Sequence, residues 1–298
     1  MSGAVPTDKS CKSISAGTSV VSPLISIVVA TYNSTATLQQ CIDSVAQQTH
    51  PLKELIVIDG GSKDGTVELL EANNRKVSYW ISEPDYGIYN AWNKALLRAR
   101  GEWICFLGSD DFLWDTHVLA RISEQLGVLP ASIRVVYGQN MLVNGNGGSL
   151  YPMGASWDTV KGKFLSGMCL PHPGLMHNRS LFEQYGPFDE SFRIAGDYEM
   201  LLRELKYAEA LFISNLIVAG VRQGGISSHP DSALLVLSES RRAQRMHGQR
   251  LPSVLWLQSV IKVYLRLLLW HLLGERVARR VLDLGRRMFN QPRHWTKT

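Results

Sequence analysis

Cysteine is scarce in this 298-residue chain: Cys11, Cys41, Cys105 and Cys169 lie far apart, with no CxxC pair and no Cys/His group at zinc spacing. Neither a disulfide framework nor a structural zinc site is expected, and a reducing cytosol fits. There is no internal repeat or low-complexity tract, and no apolar run of signal-peptide length before Ile25. Residues 1–23, rich in Ser, Thr and Gly, read as a flexible leader. Glycine is missing from Ala30-Thr31-Tyr32-Asn33-Ser34-Thr35-Ala36, the turn after the first apolar run. A dinucleotide-binding fold needs glycines there to let a pyrophosphate approach, so a dehydrogenase is disfavoured and a mononucleotide site stays open. The apolar stretch 254–273 is broken by Lys262, Arg266 and His271. Central cations cost roughly 2.5–3.5 kcal/mol each against gains of about 0.3–0.6 per large apolar residue, so bilayer spanning is marginal.

What remains is an ordinary globular composition, 45% hydrophobic and 19% charged, long enough for one large α/β unit or two modest domains. Short apolar runs at 25–30, 55–58, 79–81 and 103–107 alternate with helical patterns at 35–47, from 65, and at 88–100. Apolar runs without polar alternation suit strands covered on both faces, the sign of a parallel α/β sheet. Ligands in such sheets sit at the C-terminal strand ends. The unusual polar residues fall there: Thr31-Tyr32-Asn33, Asp59-Gly60-Gly61-Ser62, Glu83-Pro84-Asp85 and Ser109-Asp110-Asp111. From 113 to 228 the alternation weakens into a helix from 116, a strand at 134–137, a Gly/Asn-rich turn at 144–148 and a helix at 198–205.

Asp110 and Asp111 are adjacent like charges delivered to a sheet edge by the apolar run 103–107. Alone, such a pair reads as a solvated turn with Asp111 as a helix N-cap. Three further strand-end polar clusters favour a hard divalent cation, Mg²⁺ or Mn²⁺, completed by substrate phosphates. Asp59 ends the second run, where a carboxylate can accept hydrogen bonds from a ribose or base, and Gly60-Gly61 allow close approach to the backbone.

These motifs resemble the family 2 glycosyltransferases with the GT-A fold, of the bacterial surface-polysaccharide type, over residues 24–228. The resemblance is carried by Ile25-Ser26-Ile27-Val28-Val29-Ala30-Thr31-Tyr32-Asn33, by Ile58-Asp59-Gly60-Gly61-Ser62-Lys63-Asp64-Gly65-Thr66, by Glu83-Pro84-Asp85-Tyr86-Gly87-Ile88-Tyr89-Asn90-Ala91-Trp92-Asn93-Lys94 and by Phe106-Leu107-Gly108-Ser109-Asp110-Asp111. Asn90 and Trp92 stand where the family pattern has Asp and Met. The resemblance implies a Rossmann-like nucleotide-binding mixed sheet flanked by helices. Residues 24–112 would form the nucleotide-sugar half and 113–235 the acceptor half. Asp59 and Asp85 would hold the uracil and ribose side, with Thr31, Tyr32, Asn33, Gly60, Lys94 and Ser109 in the same site. Asp110 would reach the ribose or metal, and Asp111 would ligate the metal. The segment 188–199 resembles the family's base motif, which makes Asp197 the expected general base for in-line inversion and Glu199 the reserve. His172, in Leu170-Pro171-His172-Pro173-Gly174, is expected near donor and acceptor unless it is structural, and His229 is a weaker candidate for a third metal ligand.

Residues 241–298 carry 13 Lys/Arg against Glu275 and Asp283, a local balance of +11 beside a body of −6. Val277, Val281, Leu284 and Met288 share one helical face, with Arg276, Arg279, Arg280, Arg286 and Arg287 on an adjacent one. That pattern suits a helix lying in an anionic membrane interface, with Trp256 and Trp270 at headgroup depth, although a helix packed on the body gives it too. Residues 236–298 are therefore expected to be a basic amphipathic helical tail. The expected activity is metal-dependent inverting transfer from a nucleotide-sugar, UDP-type, to a lipid-linked or saccharide acceptor in surface-polysaccharide assembly, at the inner face of the cell membrane. The competing reading is a non-catalytic nucleotide-sugar sensor or scaffold. A nucleic-acid partner is disfavoured for want of an aromatic stacking platform or a recognised binding motif.

Overall fold

The computed structural model describes residues 22–225 and 232–296. Four strands, β1 (Ile25–Thr31), β2 (Lys53–Asp59), β3 (Tyr79–Ser82) and β4 (Trp103–Gly108), pair in parallel in the order β3-β2-β1-β4. The helices between them are α1 (Leu38–Ala46), α2 (Thr66–Ala72) and α3 (Ile88–Leu96). Side chains alternate across the sheet with period two. Val28, Ile56, Ile58, Ile104 and Phe106 therefore join one core with α3, while Ile27, Val29, Leu55, Val57, Cys105 and Leu107 join a second with α1. Both faces are dry, which is why these strands read as unbroken apolar runs.

Helix α1 starts later than the apolar pattern suggests. The backbone N–H groups of Ser34 and Thr35 go to Thr66 Oγ1 and Asp64 Oδ2 instead of entering a helix, and the Thr35 hydroxyl donates to Asp64 O. The turn after β1 is thus stitched to the turn before α2, and both strand ends are held level.

The second half adds β5 (Phe112–Leu113), α4 (Val118–Leu126), β6 (Val135–Val143), β7 (Ser149–Met153), α5 (Trp157–Phe164), β8 (Met176–Asn178), α6 (Arg179–Tyr185), α7 (Gly196–Leu205) and β9 (Leu211–Arg222). Strand β8 runs antiparallel to both β4 and β6, which turns the sheet from parallel to mixed; its full order is β3-β2-β1-β4-β8-β6-β9-β5, with β7 on β6. Strand β6 is longer than its apolar core because it pairs along β9 and then turns into β7. The Asn144 side chain closes that hairpin by accepting from Asn146 N and Gly148 N.

The last two helices are α8 (Ala233–Met246) and α9 (Val254–Met288), the latter broken at Gly274 by φ 71°, ψ 163°. A tail beginning at 236 is corrected here. Helix α8 packs on α7, with buried Glu239 accepting backbone N–H groups ahead of α7 and His247 Nε2 lying 2.8 Å from Glu199 Oε1. The two tryptophans expected at headgroup depth also turn inward in part: Trp256 Nε1 donates to Leu237 O, and Trp270 meets Trp295 edge to face. Among the described residues, no helix is long and apolar enough to cross a membrane.

Candidate active site

The polar strand ends meet along one edge. Register pairs Thr31 with Asp59 and Asp59 with Ser82, so β1, β2 and β3 stop at the same level. Asn33 adopts a left-handed φ of 50°, its N–H donating to Ser62 Oγ and its side-chain oxygen accepting from Lys63 N. Tyr32 projects outward, 65% exposed, while Thr31 is buried.

Asp59 lies beneath the turn that follows β2. It is fully buried, and its carboxylate accepts from Gly61 N, Ser62 N, the Ser62 hydroxyl and the Ser82 hydroxyl. Oδ2 takes three of these donors and Oδ1 one, so the buried group shapes the Gly60–Ser62 turn while Oδ1 keeps a second lone pair. Asp85 is the carboxylate that stays available. Its Oδ1 accepts from Gly87 N, and its Oδ2 would stand 2.8 Å from any Cβ at position 60, with the Tyr32 ring at 3.4 Å. Gly60 is therefore required so that Tyr32 and Asp85 can close over a bare backbone, forming a shelf with an aromatic wall and an acceptor. Lys94 braces that shelf from α3, pairing with Glu83 at 2.7 Å and donating to Pro84 O.

Asp110 and Asp111 converge. A Cβ built on Gly108 would lie 2.8 Å from Asp110 Oδ1 and 2.7 Å from Asp111 Oδ2, so both carboxylates fold over the same glycine. Asp111 is buried and accepts from Arg222 N at 3.1 Å, while the Arg222 guanidinium turns away to Gln40 and Gly145 O. Burial, with the neighbouring Asp110 charge adding to it, pushes the Asp111 carboxyl up to about 7. A buried acid beside a second acid is the donor set that a hard divalent cation fits. No third His, Cys, Asp or Glu joins them among the described residues, so two protein ligands leave several positions for phosphate oxygens and water. Ser109 bonds Ser34 across the two strand ends at 2.9 Å.

Asp197 opens α7. Burial raises its carboxyl to about 6, against hydrogen bonds from Tyr198 N and the Tyr89 hydroxyl that act in the other direction. Its Oδ1 accepts from Tyr198 N at 2.7 Å, while no hydrogen bond reaches Oδ2 among the described residues. His172 Nδ1 stands 3.9 Å from that oxygen. The imidazole is stacked near Trp92 and Phe106, its Nε2 has no hydrogen-bond partner among the described residues, and burial drives it down to about 3. It is neutral, so the contact is not an ion pair.

Trp92, which departs from the family pattern, supplies the surface on which His172 stacks. Asn90, the other departure, donates to Glu190 alongside Asn93, where an aspartate would repel. Glu199 is removed as a candidate base: it is buried, held below the ordinary carboxylate range by His247 and Arg203, and its oxygens are bonded to both. His229 lies outside the described residues. Two residues that sequence reasoning missed are Tyr89, whose ring sits inside the third motif, and Glu239, for which no motif gave a signal.

The architecture and this edge define a GT-A glycosyltransferase. The profile "Glycosyl transferase family 2" matches residues 26–168. The chain is 32% identical over 187 residues to a PGL/p-HBAD biosynthesis glycosyltransferase of Mycobacterium bovis, covering 62% of this chain and 70% of that protein. It belongs to glycosyltransferase family 2. The crystal structure of Staphylococcus aureus TarS 1–349 with UDP-GlcNAc superposes with a TM-score of 0.59 at 19% identity, over 74% of this chain and 66% of that one. A mannosyltransferase of Pyrobaculum calidifontis in complex with GDP-Man and Mn²⁺ gives 0.57 at 17% identity, over 87% of this chain and 74% of that one.

Proposed function

We propose that this enzyme transfers a sugar from a UDP-type donor, with inversion and with a divalent cation, to a lipid-linked acceptor in surface-polysaccharide assembly. The observation that carries the reading is the convergence of Asp110 and Asp111 over Gly108 at the sheet edge that also bears the Tyr32–Gly60–Asp85 shelf. The shelf would take the nucleobase, and Asp110 and Asp111 would hold Mn²⁺ or Mg²⁺. That cation would supply positive charge for the departing diphosphate. Asp197 would take the proton from the acceptor hydroxyl through its unbonded Oδ2, at a carboxyl raised toward the working pH. Neutral His172 walls this oxygen without neutralising it. A pure sensor or scaffold needs no such base.

The exposed face of α9 supports the acceptor side of this reading. Val277, Val281, Leu284 and Met288 are all exposed, as are Leu257, Ile261, Leu265, Leu268 and Leu272 in the segment before Gly274. An exposed apolar band beside arginines fits peripheral attachment to an anionic membrane, at the inner face of the cell membrane where lipid-linked acceptors stand. The test is a panel of UDP- and GDP-sugars with Mn²⁺ and membrane lipid extract, scored by nucleoside diphosphate release. Release from a UDP-sugar that depends on the lipid extract and stops in EDTA is expected. Full release in EDTA sinks the metal assignment, and preference for a GDP-sugar sinks the UDP assignment.

A further inference from the structure

The loop ahead of Asp197 is gripped from two sides by residues outside the family's base motif. From α3, the buried Tyr89 hydroxyl donates to Ile194 O at 2.6 Å and accepts from Gly196 N at 2.7 Å and Asp197 N at 3.2 Å. A phenol has one proton and two lone pairs, so these three bonds use its full capacity. Its 3.4 Å contact with Asp197 Oδ1 is secondary. Gly196 is part of the fit, since a Cβ there would stand 2.7 Å from the Tyr89 ring. From α8, the Glu239 carboxylate accepts from three successive backbone N–H groups: Arg193 N at 2.8 Å, Ile194 N at 2.8 Å and Ala195 N at 2.9 Å. Every backbone N–H from 193 to 197 is therefore bound by one of these two side chains. The first N–H groups of a helix have no intrahelical acceptor; Tyr89 takes those of Gly196 and Asp197, and Glu239 takes the three amides just ahead of the helix.

We infer that Tyr89 and Glu239 are positioning residues that together fix where the Asp197 carboxylate stands relative to the nucleotide half. This rests on Asp197 being the base. Tyr89 belongs to the helix that follows the Asp85 shelf, so it ties the base to the donor side. Glu239 ties it to α8, which the sequence places with the tail. Charge-assisted bonds to three amides hold a loop more firmly than neutral ones, and a misplacement of about 1 Å costs on the order of 10²-fold in rate.

Three titratable groups face Asp197 from the packed elements, His172, Tyr89 and Glu239, while Glu199, two residues further along its own helix, is turned to His247 and Arg203. At neutral pH His172 and Tyr89 are uncharged, since burial lowers the first and raises the second. Glu199 is matched by Arg203. Burial does most to raise the Asp197 carboxyl, and the nearby Glu239 adds a smaller push in the same direction.

The experiment makes Tyr89→Phe and Glu239→Gln alone and in an Asp197→Asn background, and measures kcat, UDP binding with Mn²⁺, and the pH profile of kcat. The amide of Gln keeps one acceptor oxygen and turns an NH₂ toward a backbone donor, so the nest loses at least one bond. Each single variant is expected to lower kcat about tenfold or more with UDP affinity unchanged, and neither lowers it further once Asp197 is Asn. In Glu239→Gln the acid limb of the profile moves to lower pH, an effect that loosened packing elsewhere does not give. Wild-type kcat in both single variants, or an undiminished further loss in the Asn background, overturns the inference. If Glu239→Gln loses UDP binding through misfolding, the milder Tyr89→Phe decides by the same criteria. Full kcat in Asp197→Asn alone rejects the base itself, a result distinct from failure of the clamp.

Discussion

At the scale of single residues, the site is built from carboxylates held in different electrostatic states. Asp59 accepts four donors, three of them on Oδ2, Asp85 keeps an open oxygen, and Asp111 and Asp197 are buried enough to be raised. Burial disfavours the ionised form, and in the proposed reaction a cation at Asp111 or an acceptor hydroxyl at Asp197 would shift that balance. Asp111 makes a stability prediction whose sign follows from linkage. Its folded value is about 7 and its unfolded value about 3.9. Between those limits the folded protein binds a proton that the unfolded chain has released, so this group's contribution falls as pH rises from about 4 to about 7. Metal-free wild type should therefore lose thermal stability across that window relative to Asp111→Asn. Mn²⁺ should raise the wild-type midpoint by binding the folded state, and leave that of Asp111→Asn nearly unmoved. Calorimetry with and without EDTA checks both, and parallel pH curves for the two proteins would count against a raised Asp111. In the proposed role of Asp197 as base the working form is the anion, so kcat should decline as pH falls through about 6. Asp197→Asn should lower kcat by about 10² or more with donor affinity kept, since a positioned base contributes about 10²- to 10⁴-fold.

At the scale of elements, strands were legible wherever burial on both faces leaves an unbroken apolar run, as in β1, β2 and β4. Their polar C-terminal ends marked the site because a sheet places those ends together. Long-range partners were not legible. Nothing local to Glu239 shows that it meets backbone amides 44 to 46 residues earlier in the chain, and nothing in Asp59 distinguishes a scaffold carboxylate from a ligand. Helix boundaries were missed where tertiary bonds capture the first amides, as Asp64 and Thr66 do to Ser34 and Thr35. The two segments of α9 read as separate helices, and Gly274 is the reason: φ 71°, ψ 163° belongs to a region that side-chain-bearing residues avoid. Gly274→Ala should strain or straighten the junction at a cost of about 1–3 kcal/mol. The segment beyond Gly274 would then leave its seat, where His294 meets Tyr151, Gln223 Nε2 donates to His294 O and Trp295 meets Trp270. A changed near-ultraviolet circular dichroism signal from the Trp270–Trp295 pair in that variant is the expected reading, and an unchanged signal would show that the kink does not hold the seat.

At the scale of the whole molecule, an acidic body carries a basic end, and the structure divides the labour of that end. Some arginines are already engaged: Arg279 pairs with Glu275, Arg286 donates to Pro292 O and lies over the Tyr151 ring, and Arg266 lies over Trp295. Arg280, Arg287 and Arg293 instead surround a cavity of about 210 Å³ next to Leu284. The Asp283 carboxylate that shares the cavity accepts from His294 N, Thr296 N and the Thr296 hydroxyl, and one negative charge offsets only part of three positive ones. Attraction to an anionic surface should therefore depend on these three more than on the tail's total charge. Replacing all three with Gln should weaken binding to phosphatidylserine vesicles by about 1 kcal/mol per charge. Replacing Arg279 and Arg286 should cost less per charge and should also loosen the packing against Tyr151. Salt should reproduce part of the first effect, because screening shortens the reach of the basic face while leaving the apolar contact of Val277, Val281 and Met288 in place. Turnover on a soluble acceptor mimic should survive the triple replacement, since these arginines lie in the tail and the chemistry sits at the sheet edge. Equal vesicle binding by wild type and the triple variant at low salt would reject the electrostatic part. Vesicle binding that survives the triple variant but disappears when Leu284 and Met288 become Ser would place the attachment in the apolar face instead.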